Sequence, residues 1–145
     1  MEISTFRNVV SEGLKSAGFT KNRSSFYKIT DDLISSVELQ RSNFSNGYYI
    51  NVGFFIRVFH PNILNYHTKD ADVRLRFIFS GDEKNTDMFD LDNLSEQELY
   101  KSISLNVEAF ISKSKDLDGL KNMILDNLYI LYQTKMNVKT LLELK

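Results

Sequence analysis

The hydrophobic positions at the start of the chain follow a helical period. Between residues 3 and 17 the apolar side chains recur every three or four positions and share one stripe, which consists of Ile3, Phe6, Val9, Val10 and Leu14. Gly18 follows the last residue of this stripe, where glycine readily takes the left-handed conformation that ends many helices. The pattern predicts an N-terminal amphipathic helix.

From Phe19 onward the pattern changes to the alternation that is typical of β-strands. Four segments show it, namely residues 25–29, 33–40, 48–56 and 73–79. Turn-forming residues separate the first three, and an irregular loop (residues 57–72) with the only proline, Pro61, precedes the fourth. Strands joined in succession in this way pair antiparallel, so we expect a four-stranded antiparallel meander.

The last third of the chain returns to a helical pattern. Ser95 and Glu98 have the spacing of a capping box, and Leu94 and Leu99 have that of a hydrophobic staple. The buried stripe of this helix continues through Ile103, Val107 and Phe110. A second helix begins near Asp116 or Asp118 and carries Leu120, Ile124, Leu128 and Leu131. Whether residues 138–144 continue it or form a third helix stays open.

These elements predict an α+β fold. It has an N-terminal helix, a four-stranded meander and two or three C-terminal helices packed on one face of the sheet. Residues 1–145 contain no linker, repeat or low-complexity tract, and their number suits one domain.

Strand alternation gives the predicted sheet two different faces. The face that we expect to meet the helices, the core face, carries Tyr48, Ile50, Val52, Phe54, Ile56, Val73, Leu75, Phe77 and Phe79. The opposite face, the polar face, carries Tyr49, Asn51, Gly53, Phe55, Arg57, Arg74, Arg76 and Ile78. On the second strand, we expect Val37 and Leu39 to lie on the core face. Glu38 and Gln40 alternate with them and therefore lie on the polar face, with the arginines.

Composition excludes several classes of function. Eighteen basic and nineteen acidic residues give a net charge of −1, which argues against a nucleic-acid or anionic-membrane partner. The absence of cysteine excludes thiol catalysis and fits a reducing compartment. Met1 is not followed by a signal-peptide pattern, and no apolar run is long enough to span a membrane. We therefore expect a cytoplasmic protein.

Several short segments together resemble a bacterial family without an assigned function, the domain of unknown function catalogued as forty-three-oh-four. They are residues 18–21, 26–27, 37–42, 50–54 and 74–76. Family members often carry a tryptophan pair soon after the arginine strand, whereas this chain has Met88 and Phe89 in that region. The resemblance implies an α+β bacterial domain. It implies no activity, because none is assigned to the family.

The polar face is the leading candidate for a binding site. Its candidate ligand-binding residues are Glu38, Gln40, Tyr49, Asn51, Arg74 and Arg76. Arginine presents a planar fork that suits carboxylate or phosphate, and amides read the edge of a ligand. Gly53 leaves room for a ligand or for another backbone segment. The alternative is a solvated face on which Arg74 or Arg76 pairs with Glu38 across the strands.

Two other clusters offer weaker candidates. His60, His67, Asp70 and Asp72 in the 57–72 loop include metal-binding residue types. Their spacing matches no zinc pattern, so a solvated loop is the preferred interpretation. The acidic residues Asp82, Glu83, Asp87, Asp90 and Asp92 lack the order of a calcium loop, and a solubilising, helix-starting role accounts for them.

No catalytic, nucleotide-binding or RNA-binding motif is present. We therefore expect no cofactor, metal or catalytic residue, and a non-catalytic binding domain whose partner is a protein or a small anionic ligand. One alternative is an enzyme with Glu38 or a loop histidine as general base. Another is an oligomer-forming module, which requires that an apolar stripe near the C-terminus stays exposed. The stripe consists of Leu128, Leu131, Leu141 and Leu142.

Overall fold

A six-stranded antiparallel sheet lies at the centre of the structure, a computed structural model that describes residues 1–63, 65–80 and 85–144. Helix α1 (Ile3–Ser16) precedes the strands. The strands of this sheet are β1 (Thr20–Asn22), β2 (Ser25–Ile29), β3 (Leu33–Arg41), β4 (Gly47–Ile56), β5 (Val73–Arg76) and, after the next two, β8 (Met88–Asp90). A separate two-stranded pair consists of β6 (Phe79–Ser80) and β7 (Asn85–Thr86).

Helical segments make up most of the chain after the sheet. The helices are α2 (Glu96–Asn106), which continues as a π-turn (Val107–Ile111), α3 (Leu117–Asp126) and α4 (Met136–Leu141). Short 3₁₀ turns occur at Arg57–Phe59, Thr68–Asp70 and Leu128–Gln133. Residues 138–144, whose state the sequence left open, belong mainly to a separate short helix, α4.

The predicted α+β fold and its meander are confirmed. Strands β1 to β5 are neighbours in chain order, and β8 pairs with β4 beside Tyr48. The fourth predicted strand ends at Arg76, earlier than expected, because the N–H of Ile78 turns to the side-chain oxygen of Asn106 at 2.8 Å. The sequence pattern did not predict β1 and β8, which have three residues each.

The core face meets the helices as predicted. Phe6 of α1 stacks on Tyr48 of β4, with their ring centroids 5.1 Å apart. Ser95 and Glu98 form the predicted capping box at the start of α2, at 3.1 and 3.0 Å. Arg74 is exposed and lies on the opposite face, so the predicted sidedness of the sheet is correct.

The second C-terminal helix ends before the sequence predicts. Its apolar stripe suggested a helix through Leu131, but α3 stops at Asp126 because Asn127 leaves the helical region, with φ −139° and ψ 71°. The Asn127 amide donates back to the carbonyl of Met123 at 2.9 Å and so satisfies one of the last carbonyls. Leu128 and Leu131 therefore belong to a 3₁₀ turn.

The 57–72 loop folds back over one end of the polar face. Phe55 and Ile34 of the sheet are buried there with Ala71 of the loop, and Ile63 and Tyr66 pack against them. Gly53 provides the required space: a Cβ on it would lie 2.5 Å from the Cβ of Ala71. Of the two explanations that the sequence offered for Gly53, close approach of another backbone segment is the one observed.

A buried carboxylate fixes this loop in place. The side chain of Asp72 is 1% exposed and accepts hydrogen bonds from the N–H of Ile56 at 2.7 Å and from Nε2 of His60 at 2.8 Å. Nζ of Lys135 lies 3.6 Å from its other oxygen. The solvated-loop interpretation therefore fails for Asp72, which is buried, and for the partly buried His60 that binds it, whereas His67 and Asp70 are exposed. Among the described residues no group of three His, Cys, Asp or Glu side chains converges as a metal site.

The C-terminal segment crosses the free edge of β5 at one point. Thr134 forms an antiparallel bridge with Val73, and the N–H of Lys135 donates to the carbonyl of Asp72 at 2.9 Å. This contact brings the 3₁₀ turn Leu128–Gln133 beside the polar face. In the part of the chain that the structure describes, no helix has the length and apolarity to cross a membrane.

We expect Gly53→Ala to destabilise the protein by about 1–3 kcal/mol, because the new methyl group overpacks the contact with Ala71. Urea unfolding followed by circular dichroism measures the loss. Ala71→Gly in the same chain should recover part of it. Additive effects of the two substitutions in a double-mutant cycle would contradict the proposed contact.

Candidate functional site

The part of the polar face that the 57–72 loop leaves uncovered lies in an open cleft of about 630 Å³, hereafter the cleft. The floor comes from the sheet: Gln40, Asn51, Arg74 and Arg76 line it. Three other segments contribute the remaining polar and aromatic lining, consisting of Thr68, Lys69, Asn85, Thr86, Asp87, Tyr129 and Gln133. Strand, loop and C-terminal segment therefore meet at one concave site.

Strand register brings the floor residues together. Asn51 of β4 lies opposite Arg76 of β5, and Gly53 lies opposite Arg74. On the other side of β4, Gln40 of β3 lies opposite Tyr49. Because side chains two positions apart on a strand share a face, the two arginines project side by side.

The guanidinium of Arg76 is fixed on three sides. Its Nε donates to Oδ1 of Asn51 at 2.9 Å and its terminal nitrogens donate to Asp87 at 3.0 Å and Gln40 at 3.3 Å. The Asn51 amide donates in turn to Oε1 of Gln40 at 2.9 Å. The guanidinium carbon also lies 4.1 Å from the ring centroid of Tyr49, within the range of a cation–π contact. Arg76 is therefore held in one orientation.

Arg74 is much less engaged. Its one side-chain hydrogen bond among the described residues goes from a terminal nitrogen to Oε1 of Gln133, at 3.0 Å. Gln133 is a neutral amide on the exposed end of a 3₁₀ turn. Neither arginine pairs with Glu38, so the predicted alternative of a cross-strand ion pair with that residue is wrong.

Glu38 faces the 57–72 loop and does not line the cleft. Its carboxylate accepts a 2.5 Å hydrogen bond from the N–H of Thr68, and Nδ1 of His67 lies 3.4 Å away. Partial burial by itself raises the pKa of this carboxyl group, but the bond from Thr68 and the contact with His67 outweigh it. The net pKa of Glu38 is below its ordinary value. A general base works best with a pKa near the working pH, so Glu38 is a weak base at neutral pH.

The charges of the cleft are unbalanced. Among its described lining residues, Lys69, Arg74 and Arg76 are cationic and Asp87 alone is anionic. Asp87 is already paired with Arg76. Tyr129 adds a half-exposed ring, and burial raises the pKa of its hydroxyl, which stays protonated at neutral pH. The arrangement suits an anion that carries an apolar or aromatic part.

The structure thus brings four of the six predicted ligand-binding residues into the cleft: Gln40, Asn51, Arg74 and Arg76. Tyr49 supports Arg76 from below, and Glu38 is turned away. Sequence reasoning missed Lys69, Tyr129 and Gln133. No local signal identifies them, because they lie on a loop and a 3₁₀ turn whose contacts are long-range.

The remaining acidic residues have structural partners where they are described. Asp90 accepts from the N–H of Asp92 at 3.0 Å and from the amide of Asn93 at 2.7 Å, in the turn before α2. Asp92 accepts from Asn46 at 2.9 Å. Asp82 and Glu83 lie outside the described residues.

The fold and cleft define an α+β domain with an antiparallel sheet and an open polar site on one of its faces. A family model described as a domain of unknown function, DUF4304, matches residues 10–116, and the chain belongs to that family. No curated protein and no solved structure shows a significant match. The matched segment includes the whole floor of the cleft, whereas Tyr129 and Gln133 lie beyond it.

We expect Glu38→Gln to lower the free energy of unfolding at pH 7 by about 1–2 kcal/mol, since the ionised carboxylate accepts the bond from Thr68. A lowered pKa stabilises the fold above the pKa of the unfolded state, and this contribution is lost as the pH falls through the folded value. Urea unfolding at pH 7 and pH 3 should therefore show a difference that shrinks in acid. A difference independent of pH would contradict this role of Glu38.

Proposed function

We propose that this protein is a non-catalytic binding domain that holds a small anionic ligand in the cleft. The observation that carries the proposal is the unbalanced charge of the cleft: two described cations, Arg74 and Lys69, face it without a carboxylate partner among the described residues. A guanidinium in that setting gains most by pairing with a carboxylate or phosphate.

The rigid floor supports the same proposal. Arg76 is oriented before any ligand arrives, because Asn51, Gln40 and Asp87 already bind it. Preorganised donors lose little side-chain entropy on binding, which favours affinity. The volume of about 630 Å³ lies within the range of sites for small molecules, roughly 300–1,000 Å³.

An acid–base enzyme is the less favoured alternative. The candidate base Glu38 has a lowered pKa and points to Thr68, and the candidate base His60 is bound to the buried Asp72. The polar residues that line the cleft carry amides, cations and hydroxyl groups, plus an aspartate paired with Arg76. Such a set recognises a ligand more readily than it transfers protons.

Self-association is a second candidate, favoured by exposed apolar residues near the C-terminus. The stripe differs from the predicted one, since Leu142 is buried and Leu131 packs partly against the core. Leu128 and Leu141 remain exposed, and Tyr132 and Met136 join them with 88% and 73% exposure. Exposed apolar patches of this kind often mark protein contacts.

Bacterial origin and a cytoplasmic location also remain proposals, the latter based on the cysteine-free composition.

Binding of anions to the cleft should raise the melting temperature of the wild type. At about ten times the dissociation constant of citrate or inorganic phosphate, linkage gives roughly 1.4 kcal/mol, or about 4–5 °C. Differential scanning fluorimetry at constant ionic strength measures the shift. The Arg74→Gln/Arg76→Gln variant should lose it.

The matched control is Arg7→Gln/Arg41→Gln, which removes two exposed arginines outside the cleft lining and should keep the shift. Circular dichroism reports whether each variant is folded. Equal shifts in melting temperature for the two double variants, or no shift for the wild type, would contradict the proposed function.

Self-association through the apolar stripe has its own test. It predicts a molar mass above 16.8 kDa that grows with concentration in size-exclusion chromatography with light scattering. Tyr132→Ser/Met136→Ser should then restore the monomer mass, because both side chains are exposed and their replacement leaves the core intact. A constant monomer mass of the wild type would exclude this candidate.

A further inference from the structure

The two arginines of the cleft have different amounts of free hydrogen-bonding capacity. A guanidinium carries five N–H donors. Arg76 uses donors on all three of its nitrogens, toward Asn51, Asp87 and Gln40. Arg74 uses one, toward Gln133. Most donors of Arg74 therefore remain available to a ligand, and Arg76 serves mainly to shape the floor.

Lys69 is the other cation with spare capacity. It is exposed, lines the same cleft from the 57–72 loop and has no side-chain hydrogen bond or ion pair among the described residues. Because Asp87 neutralises Arg76, the charge left in the described lining comes from Arg74 and Lys69 together. Two unpaired positive charges are matched by one dianion, whereas a single carboxylate compensates only one.

The neutral part of the cleft limits the ligand further. Tyr129 is 49% exposed and lines the cleft together with Ile78. A tyrosine ring offers a flat apolar surface to a planar group at little entropic cost. An inorganic dianion would leave this surface unused.

We propose that the ligand is an organic phosphate monoester whose phosphate binds Arg74 and Lys69 and whose apolar or planar body contacts Tyr129. This inference rests on the proposed function. Arginine binds phosphate oxygens in a bidentate manner and lysine binds them as a point charge. Phosphate replaces the neutral Gln133 amide on Arg74, because it adds the attraction of an opposite charge and can accept two parallel N–H bonds from the guanidinium, whereas the amide oxygen of Gln133 accepts one.

Isothermal titration calorimetry at pH 7.5 with phenyl phosphate, inorganic phosphate and benzoate tests the inference. We expect phenyl phosphate to bind about tenfold more tightly than either of the others. Arg74→Gln and Lys69→Gln should each weaken phenyl phosphate about tenfold, and Tyr129→Leu should remove most of its advantage over inorganic phosphate. Arg7→Gln serves as the charge-matched control and should change nothing.

The pH gives an independent measurement. The dianion of a phosphate monoester takes up a proton near pH 6 and becomes a monoanion, so its binding should weaken about tenfold between pH 7.5 and pH 5. Lys69 makes no described side-chain contact that folding needs, so Lys69→Gln keeps the test valid if Arg74→Gln proves unstable.

The outcomes separate the two proposals. If benzoate binds as tightly as phenyl phosphate and both depend on Arg74, the phosphate inference is overturned and the binding function stands. If no probe binds in a way that depends on Arg74 or Lys69, the inference fails, and the citrate experiment then decides the proposed function separately.

Discussion

The arrangement of the polar face and of the segments that border it depends on one buried carboxylate, that of Asp72. An ionised group at 1% exposure is tolerated only when its oxygens are fully engaged, and here the end of β4, His60 and Lys135 engage them. Its backbone is used as well: the N–H donates to Phe54 and the carbonyl accepts from Lys135. One residue thereby ties β4, the 57–72 loop and the C-terminal segment together.

The shape of the cleft follows from this tie. With Asp72 fixed, the loop covers Phe55 and Gly53 but stops short of Asn51, which leaves the arginine end of the polar face open. The same contact holds Lys135 against the sheet, and it brings Gln133 within 3.0 Å of Arg74. The polar face is thus divided into a packed half and an open half by a residue that lines neither.

Local patterns predicted what depends on neighbours in sequence. The alternation in β3, β4 and β5 placed Arg74 and Arg76 on the face away from the helices, and the capping box located the start of α2. Each of these features follows from side chains two to four residues apart. The assignment of faces did not fix the register that places Asn51 opposite Arg76, because a shift of two residues leaves every side chain on the same face.

The sequence patterns did not predict the long-range packing. The role of Asp72 requires partners 12 to 63 positions away, and nothing in a loop with two histidines and two aspartates distinguishes a buried carboxylate from a solvated one. Lys69, Tyr129 and Gln133 reach the cleft only because the loop and the C-terminal segment dock on the sheet. Residues of this kind carry no periodicity that a pattern can detect.

The bridge between Thr134 and Val73 has a further consequence for the behaviour of the protein at high concentration. An unpaired outer strand offers a row of N–H and C=O groups to a neighbouring molecule, and such pairing starts fibrous aggregation. On the β5 side, the crossing C-terminal segment interrupts that row; on the opposite side, β1 has only three residues, all exposed, with Lys21 at its centre. The margins at β1 and at β5 therefore resist growth by strand addition, and a chain truncated before Thr134 would expose the margin at β5.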